Sequence, residues 1–416
     1  MASTAPAIFI SAGEASGEHY GALLAAELRR QLAARGLKAD LFGMGGPRME
    51  SAGVERVVRA EDMAVMGFTE VVLHLPRIYR EFRKLKRAIR ARRPGVAVLI
   101  DFPEIHFRLA KELHRLGVPV IYFVSPQLWA WKQRRIRLVR EYVRRMLVIF
   151  PFEEAYYRDR GVNAKFVGHP LADLPLPAIT RGQFAAGNRL DPAKTWIGVL
   201  PGSRMKEIEA NLPEMLEAAR RLTASEVSSA DPQSGFDYLI PLAPTLDAAQ
   251  RAAVARLAQN LGGGMAVRLV DDARAALHHA RASIVASGTA TVEAALIGNP
   301  FVVVYRVSPL TFAIAKTLVK VPHVAMVNLI AGRRVVPELI QHDFTAANIV
   351  QHLSPLLPDG PARESMRRDL GAIREALRVQ SANGPGEAQG AIERVAAVVA
   401  HELEGTHPAA LEAARP

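Results

Sequence analysis

Three segments of this sequence combine carboxylates, small residues and a fixed cation in patterns that can do chemistry. The first is Ser11-Ala-Gly-Glu-Ala-Ser-Gly-Glu-His-Tyr-Gly, which follows an apolar run. Gly13, Gly17 and Gly21 give neither G-x-G-x-x-G nor a lysine-bearing phosphate loop, which argues against dinucleotide and ATP sites. A glycine-bearing turn at the carboxyl end of a strand remains, and open α/β sheets bind ligands there. Glu14 sits in that turn as a candidate catalytic or acceptor-side group, with Ser16 and Gly17 beside it as substrate contacts. An ordinary polar loop residue is the competing reading of Glu14.

The second segment is Asp101-Phe-Pro-Glu-Ile-His, directly after the apolar run 96–100. A carboxylate ending a strand, followed by a proline, suits a general base, and a helix N-cap is the alternative. Glu14 and His19 are the other base candidates. The third segment is split between Pro201-Gly-Ser-Arg204 and Ser287-Gly-Thr-Ala-Thr-Val-Glu293, each placed after an apolar run and before a helical stretch. Backbone N–H groups and a helix dipole at such places favour a phosphate, and Arg204 adds a permanent charge against a diphosphate. Ser287, Gly288 and Thr289 would line that site, and Glu293 could accept from two sugar hydroxyls. N-capping by Ser287 or Thr289 and dipole compensation by Glu293 are the plainer explanations of each alone. Together they point to a nucleotide diphosphate. His278 and His279 are adjacent, no HExxH occurs and no Asp-x-Asp exists, so neither a metal site nor any cofactor is expected.

These segments need strands to end where they begin. The apolar runs predict strands at 7–12, 38–42, 96–100, 118–124, 146–150, 196–200, 237–241, 266–270, 282–286 and 301–305. Helical spacing predicts helices at 17–34, 77–92, 106–116, 132–142, 152–160, 205–222, 246–260, 272–280, 289–297 and 310–319. The two series flank a stiff linker with Pro170, Pro175 and Pro177. Such alternation predicts an α/β protein of two doubly wound, Rossmann-like domains with parallel sheets and a cleft. The expected division is 1–172, 173–360, and C-terminal helices over 361–416 that pack back on the first domain and end in a frayed tail from His401. Ser225–Gly235 reads as a mobile surface loop.

The chain has 416 residues, half of them hydrophobic, and no cysteine, which removes disulfides, thiolate metal sites and a cysteine nucleophile. The formal charge is +12. Segment 77–93 carries nine bases and one acid, and 132–145 seven and one, which accounts for the whole excess. Ile78, Phe82, Leu85 and Ile89 make the first of these a basic amphipathic helix. It reads either as a solvated face or as a surface for an anionic partner: a membrane, a phospholipid-like substrate or nucleic acid. The apolar stretch from Met63 to Leu75 reads as a core strand, with acyl-chain or membrane contact as the alternative. No secretory leader and no spanning helix are expected, which places the chain in the cytoplasm.

Nine motifs in order resemble one known family: AGEASGE at 12–18, GMGGPRM at 43–49, AVMGFTEV at 64–71, SPQLWAWKQRRI at 125–136, PFE at 151–153, GHPLAD at 168–173, PGSR at 201–204, SGTATVE at 287–293 and VNLIAGR at 327–333. The sequence is similar to the lipid-A-disaccharide synthases, glycosyltransferase family 19. AVMGFTEV and SPQLWAWKQRR are specific to that family; PGSR and SGTATVE are shared with other GT-B glycosyltransferases. The resemblance implies an inverting GT-B enzyme, peripheral on the cytoplasmic face of the inner membrane of Gram-negative bacteria. It would join UDP-2,3-diacylglucosamine to 2,3-diacylglucosamine 1-phosphate (lipid X) through a β-1,6 bond, releasing UDP. It carries the base onto Asp101, acceptor contact onto Glu14, and UDP contact onto Arg204, Glu293 and Asn328. Two positions depart from the family pattern: Glu18 stands where Asp is usual, and Glu104-Ile-His106 where Asp-Phe-Asn is usual. Acylated, phosphorylated substrates also fit an anionic membrane surface met through 63–93. A homodimer is left open.

Two other functions compete. One is a GT-B transferase or epimerase acting on non-acylated UDP-N-acetylglucosamine. The other is a nucleic-acid-binding protein, suggested by a pI near 10.1. The basic segments lack interleaved aromatic platforms, so no nucleic-acid partner is expected.

Overall fold

In a computed structural model, residues 5–63, 68–226, 235–308, 312, 321–379 and 390–406 are described, 68–74 by backbone alone. The chain divides into two units, Met1–Asp173 with Leu377–Pro416, and Leu174–Ala376.

The first unit is built on a parallel sheet of β1 (Ala7–Ala12), β2 (Asp40–Gly45), β3 (Glu55–Arg59), β4 (Val96–Ile100), β5 (Val120–Phe123), β6 (Arg145–Val148) and β7 (Ala164–Phe166). Their spatial order is β3-β2-β1-β4-β5-β6-β7. Strands covered on both faces need apolar side chains at every position, which is why β4 reads VAVLI and is wholly buried. The helix Ala15–Ala34 covers the sheet with Leu24, Ala25, Leu28 and Leu32. The last helix, Ala391–Thr406, packs against it and buries Val395, Val399 and Leu403. Glu402 on this helix holds Arg144 and Arg145 beside β6.

The second unit repeats the plan with β8 (Thr195–Leu200), β9 (Phe236–Pro241), β10 (Ala266–Val270), β11 (Ala282–Ala286), β12 (Phe301–Tyr305) and β13 (Glu338–Ile340). The order is β10-β9-β8-β11-β12-β13, again parallel. Trp196 of β8 is fully buried beside Phe184, with the Arg181 guanidinium 3.6 Å from the centre of its ring.

Several expectations are revised. From Phe68 the apolar stretch is not a strand: it opens the helix Phe68–Arg92, which carries Pro76 inside it; 64–67 lie outside the described residues. Edge strands β3, β7 and β13 were not anticipated. Two are only three residues long and the other is half polar, so none shows a readable period. The helix expected at 132 begins at Ile136, because Lys132 takes a left-handed conformation before a short 3₁₀ turn. His401–Thr406 is helix rather than frayed tail. The helix Pro361–Ala376 lies in the second unit, not with the C-terminal part of the first. Ser225 ends the helix Met205–Glu226, while 227–234 lie outside the described residues, as does nearly all of 310–319.

Candidate active site

In each sheet the chain leaves the central strand on one side and returns on the other. That leaves a crevice outside the carboxyl ends of the central pair, where open α/β sheets bind ligands. In the first unit the pair is β1 and β4, in register from Ile8/Val96 to Ala12/Ile100. The Gly13–Glu14 turn and the Asp101–Phe102 turn therefore meet. A Cβ on Gly13 would overlap the Phe102 ring, so only glycine allows this contact. Gly17 sets the first turn of Ala15–Ala34 against the Ile100 carbonyl, and Ser16 precedes it, half-buried.

Asp101 and Phe102 are both left-handed, each with φ of 51°. For non-glycine residues this costs on the order of 1 kcal/mol apiece, so the surroundings must hold it. The Tyr122 hydroxyl donates to the Asp101 carbonyl at 2.6 Å, and His106 Nδ1 lies 2.5 Å from the same oxygen. A carbonyl only accepts, which puts the imidazole proton on Nδ1; Nε2 then accepts from the Ser11 hydroxyl at 2.9 Å. Burial drives the His106 pKa down to about 3, so the ring is neutral. The Asp101 carboxyl is pushed up to about 7, first by burial and then by the negative charge of Glu14, against a hydrogen bond from the Phe102 N–H. A carboxylate poised there can take a proton near neutral pH.

Glu18, one of the two departures from the family pattern, faces away from this chemistry. Its Oε1 accepts from the backbone N–H groups of Arg48 (2.7 Å) and Met49 (3.0 Å), and so serves the start of the helix Pro47–Ser51. His19 is half-buried, and burial followed by Arg48 lowers its pKa. Glu104, in the other departure, is bound by Arg135 and Lys132, which hold its carboxyl down at about 2.

In the second unit the pair is β8 and β11. After β8, Gly202 has φ of 130° and lies close against Glu207. Glu207 accepts from the Ser203 N–H (3.0 Å) and from Arg204 Nη1 (2.9 Å), leaving the guanidinium half exposed. Tyr305, ending β12, shares this surrounding: burial raises its pKa, Glu207 adds to the rise and Arg204 opposes it. After β11, the helix Thr289–Ile297 starts from Gly288, with φ of 149° and no side-chain cap. Neither Ser287 nor Thr289 is the N-cap. The space where a Gly288 Cβ would point is open, and Thr289 is exposed. Glu293 is half-buried; burial raises its pKa, with Arg274 opposing and Asp272 adding.

Asn328 is a different case. Its Oδ1 accepts from the N–H groups of Val335 (2.7 Å) and Val336 (2.9 Å), and its Nδ2 donates to the Val336 carbonyl (2.9 Å) and Glu338 (2.8 Å). All four valences of this fully buried amide are used, so its side chain braces the segment leading into β13 and has nothing left for a direct contact. Among the described residues no group of three His, Asp or Glu could hold a metal ion.

The sequence model of the family described as lipid-A-disaccharide synthetase matches residues 8–391. This chain belongs to the lipid-A-disaccharide synthase family. A lipid-A-disaccharide synthase of Acidobacterium capsulatum is 60% identical over 410 residues, covering 96% of this chain and 97% of the relative. One of Koribacter versatilis is 50% identical over 375 residues, covering 89% and 93%. Among solved structures, the kitacinnamycin glycotransferase superposes with a TM-score of 0.61 at 16% identity over 96% of this chain and all of that one. A putative UDP-N-acetylglucosamine 2-epimerase of Listeria monocytogenes superposes at 0.57 and 13% identity, over 97% and 98%. These last two likenesses speak for the GT-B fold alone. The family membership makes the chain a glycosyltransferase of lipid A disaccharide synthesis and disfavours the epimerase alternative.

Two motifs of the family resemblance are joined by a side chain that sequence reasoning passed over. Glu153 of PFE accepts from the Ser125 hydroxyl (2.6 Å), Trp129 Nε1 (3.0 Å) and the Phe150 N–H (3.2 Å), tying SPQLWAW to the helix Pro151–Arg158. Burial pushes its carboxyl up to about 7. Ser11, His106 and Tyr122 were also missed as a unit. Their pattern is visible only once β1, β4 and β5 are adjacent.

The basic helix of the synthase is less free than its sequence suggests. Ile78, Phe82, Leu85 and Ile89 pack into the first unit's own core. Arg77 pairs with Asp62, Arg80 and Lys84 share Glu81, Lys86 and Arg90 share Glu112, and Arg92 pairs with Glu55. Among the described residues Arg83, Arg87 and Arg93 hold no ion pair, and over 75–92 Leu75 and Tyr79 are the large apolar side chains left exposed. No helix among the described residues is long and apolar enough to cross a membrane.

Proposed function

We propose that this glycosyltransferase joins UDP-2,3-diacylglucosamine to lipid X with inversion, and that Asp101 is the general base. The observation that carries this reading is a carboxyl ending β4 at the crevice of the first sheet, with a pKa of about 7. The acceptor 6-hydroxyl gives its proton to Asp101 as its oxygen attacks the anomeric carbon of the donor. The bond from that carbon to the diphosphate breaks, and UDP departs with the electron pair. Glu14 lies beside the base and raises its proton affinity, on the acceptor side with Ser16 and Gly17.

The leaving diphosphate draws on Arg204 and on the open N-terminus of Thr289–Ile297, where Gly288 and Thr289 offer backbone N–H groups and Ser287, whose own N–H is held by the Val304 carbonyl at 2.9 Å, offers its hydroxyl. Glu293 accepts from the ribose hydroxyls. Asn328 contributes by holding its own loop. Acyl-chain substrates place the enzyme at the cytoplasmic surface of the inner membrane, met through exposed Leu75 and Tyr79 with Arg83 and Arg87 near them. UDP release in mixed micelles tests the whole reading. It should require the acylated UDP-sugar and lipid X together; release with the donor alone, or undiminished release from Asp101→Asn, would overturn it.

A further inference from the structure

We infer that His106 is a positioning residue that aims the Asp101 carboxylate by holding the Asp101 carbonyl. The inference rests on the reading of Asp101 as the base. Asp101 still donates its N–H to the Phe123 carbonyl (3.0 Å), as a strand residue would. Its left-handed φ then turns its own carbonyl out of the ladder and into two side-chain donors, Tyr122 and His106. Carbonyl and side chain hang from the same Cα, so pinning the carbonyl fixes the Cα–Cβ direction from which the carboxylate reaches out.

The imidazole is suited to this by its position and its state. It is wholly buried, with Phe102 edge-on at 5.8 Å and Tyr122 edge-on at 6.1 Å, which blocks rotation. Its backbone N–H returns to the Phe102 carbonyl at 3.1 Å, closing the turn that follows Asp101. Its second nitrogen reaches Ser11 on β1, three residues before Glu14. A single neutral ring thus locks the turn carrying the base against the turn carrying the neighbouring carboxylate. No solvent contact or substrate contact explains such a ring; the Asp101 carbonyl does.

The two nitrogens can be separated. In His106→Asn the amide nitrogen occupies the place of Nδ1 and can still donate to the Asp101 carbonyl, while the Ser11 bond is lost. In His106→Gln the amide reaches the place of Nε2, keeping Ser11 and losing the carbonyl. Single-turnover rates with saturating lipid X should fall about ten- to hundredfold in His106→Gln, the effect of a misaimed catalytic group. His106→Asn should stay within about threefold of the native rate, and UDP affinity by calorimetry should be unchanged in both. In an Asp101→Asn background His106→Gln should cost nothing further, since there is no base left to aim.

A native rate in His106→Gln, or its full loss persisting in the Asp101→Asn background, overturns the inference. A near-native rate for Asp101→Asn alone overturns the premise instead, which separates the two failures. Should His106→Gln fail to fold, Tyr122→Phe removes the other donor to the same carbonyl and carries the same expectations in both backgrounds.

Discussion

The two sheets share one order over six strands, the first adding β7, and have opposite interiors at the point where that order reverses. At β1/β4 the mouth is packed with side chains: Phe102 lies over Gly13, His106 bridges Ser11 to Asp101, and Tyr122 closes the set. At β8/β11 the mouth is lined by backbone and by two glycines, Gly202 against Glu207 and Gly288 with open space before it, and among the described residues the Arg204 guanidinium is anchored by Glu207 alone. A group that must take a proton needs a fixed direction and a tuned pKa, which only a dense surrounding supplies. A nucleotide brings its own charges and needs free N–H donors and room. One topology can thus suit two kinds of chemistry through what fills its crevice, and the proposed reaction uses both.

Asp101→Asn strikes the dense mouth and should have the largest effect, slowing single turnover by about 10²–10⁴ while UDP affinity persists. The native pH profile sharpens this. As the proposed base Asp101 acts deprotonated, so activity should fall about tenfold per pH unit below about 7. The raised pKa also means the folded state holds this proton more tightly than the unfolded chain. Its charge therefore lowers stability as pH rises from about 4 to about 7, and Asp101→Asn should melt higher than the native protein at pH 8 but not at pH 4. An equal difference at both would mean the gain is not electrostatic.

Arg204→Ala strikes the open mouth and should lower turnover by about 10²–10³ with the fold intact. Unchanged kinetics in a folded variant would leave the diphosphate to backbone alone. Glu293→Gln should chiefly raise the donor KM, by about tenfold, because ribose contacts exist before the transition state. Calorimetry showing native UDP affinity would move ribose recognition elsewhere. The smallest effect belongs to a surface outside both mouths. Arg83→Ser with Arg87→Ser should weaken sedimentation with anionic liposomes by a few-fold to about tenfold per residue at low salt. These two are the informative pair, since replacing Arg80 or Lys84 would also strip the buried Glu81 of its partners. Equal partitioning would leave only the solvated face.

The strand ends were legible because continuous apolar runs broke at residues with evident chemistry, as VAVLI does at Asp101 and TWIGVL at Pro201. Edge strands were not, because a three-residue strand such as β7 carries no period. Residue types alone misjudged Asn328, whose amide is consumed by its own loop, and could not separate Glu18, which serves another helix, from Glu14 four positions earlier. The basic helix misled for a related reason. An amphipathic pattern fixes that a face is apolar, not what covers it, and here the sheet does. The His106 bridge spans 95 residues to Ser11, a distance over which no local pattern speaks.

The return of Ala391–Thr406 to the first unit makes that unit discontinuous in the chain, with the second inserted whole between Asp173 and Leu377. During synthesis, the inserted unit emerges complete and contiguous before the closing helix of its host exists. The part of Ala15–Ala34 that Ala391–Thr406 covers waits bare for more than 350 residues of elongation, several tens of seconds at bacterial rates of about 5–20 residues per second. The first-made half of this enzyme is thus the last to be finished, and its nascent form is the one a ribosome-associated chaperone would meet.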